Sequence, residues 1–192
     1  MFEKNVGRSR AFLKIFDLDR TSGRPSSQEQ ELLRGAVVFA IGALDAFLHE
    51  LVLELVPLFG GDRAALRDAL RAIARDDPGL ALRMALAPDG VSKEYEFRAA
   101  LDDWLERKSF QGVEKVSAAL TYVGVDLSIA DFDAHTHLNT AERLEHFTRM
   151  RHNIVHRGAS PHIVRRDAGQ CVDLIGTIGK VINDAGVEFY NW

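Results

Sequence analysis

The strongest constraint on the fold is one long stretch in which apolar residues recur every three or four positions. Leu33, Val37, Ala40, Ile41, Leu44, Phe47, Leu48, Leu51, Val52 and Leu55 keep this spacing, which lines up one face of an α-helix. Ser26 or Ser27 can cap its start, with Glu29 or Gln30 three residues on as the capping-box partner. Pro57 and Gly60-Gly61 end it. A helix this apolar must be surrounded by other elements, so the rest of the chain has to supply them.

It supplies more helices. A first helix is expected from about Asn5 to Asp17, followed by the loop RTSGRPSS. A cap at Asp62 starts another, to about Arg75, which Asp77-Pro78-Gly79 breaks ahead of the short segment LALRMAL. Further helices are expected over about Ser92–Arg107 and Gly112–Val123, with Gly124–Leu138 irregular. Asn139 or Thr140 caps the next, which ends near Arg157 with Gly158 at the left-handed stop. The last carries Cys171, Leu174, Ile175, Ile178, Val181, Ile182 and Ala185 on one face. No segment alternates with period two. The expectation is an all-α, up-and-down bundle of about six to seven helices forming a single domain over residues 1–192.

Composition narrows the classes. The single cysteine, Cys171, excludes an intrachain disulfide and a four-cysteine zinc site; on an apolar face it reads as a small core residue. The N-terminal MFEKNVGRSRAFLKIFDL lacks the uninterrupted apolar run of a signal peptide. No run of about 18 apolar residues occurs, so no membrane span and a cytoplasmic location are expected. The net charge of −4 argues against blanket affinity for nucleic acid. Its distribution does not: residues 143–166 hold six Arg (143, 149, 151, 157, 165, 166) against Glu145 alone, so this segment is +5 and the remainder −9. Four of the seven histidines lie there too. Such a patch binds a polyanion at one place, or is simply a solvated basic face.

Within that patch the helix reads TAERLEHFTRMRHNIVHRG. Stepping about 100° per residue from Leu144 puts Phe147, Met150, Ile154 and Val155 on a buried arc. Arg151 falls inside that arc. A guanidinium there needs a carboxylate partner or an anion in a cleft. His152 and His156 lie on the adjoining flank, His156 about 140° from Arg151 on an ideal helix. Arginine and histidine together suffice for RNA cleavage without a metal. Imidazole takes the proton of a ribose 2′-OH, and guanidinium holds the phosphate and its developing charge. The spacing alone is weak, because Arg157 and His162 match it as well; Gly158 and Pro161 keep that second pair off one helix.

Arg151-His152-Asn153-Ile154-Val155-His156 resembles the signature of the HEPN superfamily: Arg, a polar residue, three more, then His. RGAVVFAIGALDAFLHELV is similar to the early helix of HEPN proteins, most closely the RiboL-PSP subgroup. The resemblance implies an all-helical homodimer with its cleft at the dimer interface. It implies a metal-independent endoribonuclease without cofactors, in a toxin–antitoxin or phage-defence setting with an antitoxin partner. On that reading Arg151 takes the phosphate, His156 is the base, and His152 holds the polar position. An acid on the early helix has a use as well: Asp45 would pair with Arg151 or orient His156. Arg149, Asn153, Arg157, Arg165 and Arg166 would contact RNA. Two alternatives remain open, a helical module that binds RNA or a nucleotide without cleaving it and a structural or partner-binding bundle.

Other residue groups are weaker. Asp131, Asp133, His135 and His137 would share one side of an extended segment and have metal-ligand chemistry, but no second cluster completes a set. Trp104, Tyr122, Tyr190 and Trp192 are candidates for base stacking or for core. Arg63, Arg67, Arg71 and Arg75 form a basic line near Asp62, Asp68 and Asp76, the usual pattern of a solvated face.

Overall fold

Capping side chains and three-to-four apolar spacing account for the backbone of this chain. The computed structural model describes residues 2–19, 23–59, 64–86, 91–136 and 139–190. Among the described residues there are nine α-helices and no strand: α1 (Phe2–Asp19), α2 (Ser27–Phe59), α3 (Ala64–Asp76), α4 (Pro78–Leu86), α5 (Val91–Leu105), α6 (Val113–Val123), α7 (Ile129–Thr136), α8 (Thr140–Arg157) and α9 (Arg165–Tyr190). The all-α expectation matches; the helix number exceeds six to seven.

The two additions have local causes. Pro78 opens α4 at the position where a helix needs no N–H, so the Asp-Pro-Gly break both ends α3 and starts α4. In α7, Ser128 donates its N–H (2.7 Å) and its hydroxyl (2.6 Å) to Asp131 Oδ2. That S-x-x-D start lies inside the stretch expected to be irregular. The expected caps hold elsewhere. At α2, Ser26 N–H donates to Glu29 Oε2 at 2.6 Å, and Glu29 N–H donates back to Ser26 Oγ at 3.2 Å. Asp62, Gly60 and Gly61 lie outside the described residues.

The chain divides into two compact units. The first comprises Met1–Phe47, Gln111–Val113 and Leu127–Trp192. In it α1 packs along α9, α7 lies against α8 and α9, and α8 against α9. The inner face of α1 is Phe2, Val6, Ser9, Leu13 and Phe16, all buried. Gly35 of α2 leaves room for the Phe12 ring, which would stand 3.2 Å from an added Cβ. The second unit comprises Leu48–Phe110 and Glu114–Asp126. Its core holds Val52, Leu55, Ile73, Leu101, Trp104 and Leu120. Trp104 Nε1 donates to Asp76 Oδ2 at 2.9 Å, and Lys108 pairs with the same carboxylate. Lys108 first, then Trp104, hold that carboxyl below its usual range.

α2 has the length and composition of a membrane-crossing helix, with mean hydropathy 1.9 in its best stretch. Its expected interior face is interior here: Leu33, Val37, Ala40, Ile41, Leu44 and Leu48 are buried. Gln30 and Arg34 are buried on the same side and carry polar contacts of their own, as a core helix holding a loop would.

Candidate functional site at the end of α8

Two polar residues anchor the start of α8. Asn139 Oδ1 accepts from Glu142 N–H at 3.1 Å, and Asp133 Oδ1 accepts from Thr140 N–H at 2.7 Å. These satisfy donors that the first helical turn leaves open. The Thr140 N–H holds the Asp133 carboxyl below its usual range. Leu144 and Phe147 then bury the middle of the helix, each contributing about 1.5–3 kcal/mol. At the far end Gly158 turns left-handed (φ 61°), and its N–H closes on Asn153 O. Ala159 N–H donates to the same oxygen at 3.0 Å.

The segment after that stop is held by α2. Gln30 Nε2 donates to Ile163 O at 3.0 Å, and Ile163 N–H donates to Gln30 Oε1 at 2.9 Å. Arg34 Nε donates to Pro161 O at 3.0 Å and its Nη2 to Ser160 O at 3.1 Å, while Nη1 pairs with Glu31. Neither residue belongs to the motifs that point to a site in the sequence. Both sit on the α2 apolar face four residues apart, a pattern legible in the sequence as polar groups needing partners.

On this frame the last turns of α8 open outward. Met150 and Ile154 are half-buried, and Val155, expected on the buried arc, is 45% exposed. Arg151 is half-buried and His152 and His156 are exposed. Arg151 Nη1 lies 3.1 Å from His156 Nε2. Guanidinium cannot accept, so a hydrogen bond at this contact has Nη1 donating to the Nε2 lone pair. The long arginine side chain thus spans the 140° that separates the two positions on an ideal helix. The His152 and His156 rings stand 4.9 Å apart. Arg151, His152 and His156 therefore form one cluster.

Arg151 has no carboxylate partner among the described residues, and its Nε is buried without a hydrogen bond. A cavity of about 320 Å³ opens beside it, lined also by Asn5, Arg8, Val38, Phe39, Gly42 and Ala43. Glu145, the one acid in the basic segment, accepts from Val113 N–H at 2.8 Å. Asp45 Oδ2 accepts from Gln111 Nε2 at 2.9 Å, and no bond links Asp45 to Arg151 or His156.

The proposed RNA contacts are placed unevenly. Arg149 and Arg157 are exposed, and Asn153 is half-buried with its carbonyl spent on the helix stop. Arg165 presents its fork to Asp17, with Nε–Oδ1 at 2.9 Å and Nη2–Oδ2 at 2.8 Å. Arg166 Nε donates to Asp167 at 3.2 Å.

Asp131, Asp133 and His135 lie on the helix α7, not on an extended segment, so these three do not share one side. Asp131 takes Ser128, Asp133 takes Thr140 N–H, and His135 Nδ1 bonds Asp131 O at 2.8 Å. His137 lies outside the described residues. Among the described residues no three His, Cys, Asp or Glu are grouped to hold a metal ion. Trp104 and Tyr190 are buried and Tyr122 is half-buried against Trp104, so these aromatics belong to packing; Trp192 lies outside the described residues. Arg67, Arg71 and Arg75 are exposed on α3, and Arg63 is not among the described residues. Cys171 is buried, and burial pushes its thiol well above the usual range, so it is core.

Comparison with protein-family models, with curated proteins and with solved structures gave no match.

Proposed function

We propose that this chain is a HEPN-like, metal-independent endoribonuclease, cytoplasmic and homodimeric, working in a toxin–antitoxin or phage-defence setting with an antitoxin partner. The observation that carries the reading is the Arg151 Nη1–His156 Nε2 contact of 3.1 Å at the open end of α8. It joins a base and an anion-binding fork with no carboxylate partner among the described residues to neutralise the fork. A bound RNA phosphate competes for the guanidinium and releases the Nε2 lone pair. Nε2 then takes the 2′-OH proton, the 2′-oxygen bonds to phosphorus, and the P–O5′ bond breaks. The 5′-oxygen takes a proton from water, leaving a 2′,3′-cyclic phosphate and a 5′-hydroxyl. Exposed Val155 beside half-buried Ile154 supports a partner subunit over this end of the helix.

RNA incubated with the protein in EDTA should give 2′,3′-cyclic ends, and His156→Ala should slow this by about 10²-fold or more. Absence of cleavage, or equal cleavage by His156→Ala, overturns the reading. Sedimentation should find a dimer that Val155→Asp weakens; a monomer at all concentrations removes the homodimer. The same Arg–His bond favours one second reading. It occupies the lone pair that catalysis requires, so a module that binds RNA without cleaving it would keep the bond intact. RNA binding lost in Arg151→Ala, with no product ends from the wild type, selects that reading.

A further inference from the structure

We propose that the Asn5–Arg8–Phe39 side of the Arg151 cavity is a nucleotide subsite for single-stranded RNA, with Arg8 gripping a second phosphate and Phe39 stacking on a base. The inference rests on the reading that Arg151 meets an RNA phosphate. It begins with the flank of α1 beside its buried face. Asn5, Arg8, Phe12 and Ile15 follow one another at three- and four-residue spacing, so they form one edge along the helix. Arg8 is exposed, and its one hydrogen bond among the described residues is Nη1 to Asn5 Oδ1 at 3.3 Å. Like Arg151 it has no carboxylate partner among the described residues. Two guanidinium groups with no acid partner among the described residues therefore line one cavity, which also contains the Asn5 amide.

Like charges gathered at one opening repel unless an anion lies between them. Two phosphates of one strand meet that need. Bidentate guanidinium–phosphate geometry suits Arg at both places. The aromatic component is Phe39. Its ring packs on Phe12 with centroids 5.3 Å apart, yet the residue remains 44% exposed on the cavity wall. One side is thus supported and another open, the arrangement that stacks a base without reading its identity. Gly42 completes the shape: an added Cβ there would meet nothing within 4 Å, so this part of the wall is open. The volume of about 320 Å³ is at the small end of ligand cavities, which run roughly 300–1,000 Å³. It fits one nucleotide unit and not a duplex.

The test uses the full chain and a 2′-O-methyl RNA strand, which cannot be cleaved, in anisotropy titrations at several salt concentrations. Arg8→Ala should weaken binding by about ten-fold and lower the salt slope by about one phosphate. Phe39→Leu should weaken it by about five-fold or more with the salt slope unchanged. A base-free ribose-phosphate strand should keep the Arg8→Ala effect and lose the Phe39→Leu effect. Gly42→Leu, which puts a side chain into the open part of the cavity, should weaken both strands. If Arg151→Ala weakens binding while Arg8→Ala, Phe39→Leu and Gly42→Leu leave it unchanged, the subsite is wrong and the proposed function stands. If the wild-type chain binds neither strand, both fail. An equal Phe39→Leu effect on the base-free strand removes the stacking role.

Discussion

Arg34 and Arg151 occupy equivalent positions in the pattern of the chain and opposite ones in the molecule. Each lies on the apolar face of a helix. Arg34 is 8% exposed, and its guanidinium meets the Pro161 and Ser160 carbonyls and Glu31. Arg151 is half-buried, leaves its Nε unpaired, meets the His156 imidazole and faces a cavity. Burying polar atoms without partners costs about 1–3 kcal/mol; the first arrangement avoids that cost and the second does not, and under the proposed function an RNA phosphate offsets it. A buried arginine is informative only through its partners.

The comparison can be broken in three ways. The largest expected effect is on activity: His156→Ala loses about 10²-fold or more in RNA cleavage, while Arg34→Ala, measured below its melting temperature, keeps the cleavage pattern. A shift of cleavage sites in Arg34→Ala would make Arg34 part of the site. Next comes stability. Arg34→Ala strands two carbonyls and should cost about 2–4 kcal/mol in urea unfolding. Arg151→Ala removes an unpaired buried donor and should leave stability unchanged or raise it, by at most about 1–3 kcal/mol. Equal losses for both would make Arg151 a structural residue and sink the distinction.

The smallest effect concerns the anchor of α8. The Asp133 carboxyl is held below its usual range by Thr140 N–H. Its contribution is therefore present above the unfolded pKa of about 3.9 and lost as pH falls through the lower folded value. Asp133→Asn should melt below the wild type at neutral pH, and the gap should close in acid. A gap independent of pH would assign the effect to something other than the charge.

The helices were legible because their signals are local. Capping boxes, Gly158 and the three-to-four spacing act within a few residues of where they are written. The missed helix α7 has such a signal too, in Ser128 and Asp131; the Asp and His spacing beside it suggested an extended segment. The candidate site was legible only in part. Arg151, His152 and His156 share one helix, so their neighbourhood follows from spacing. The length of the arginine side chain, which lets Nη1 reach Nε2, is not captured by an angle on a wheel.

What the sequence alone determined is the set of helices, the end of α8 at Gly158 and the charge of residues 143–166. The tertiary structure alone decided which buried-face arginine is satisfied. It also decided that Val155 lies open, that Asp45 is bonded to Gln111, and that Arg8 and Phe39 share a cavity with Arg151. The reason is range. Secondary structure is set by neighbours within about one turn, whereas the carbonyls that satisfy Arg34 and the α1 residues that share the Arg151 cavity lie more than a hundred residues away along the chain.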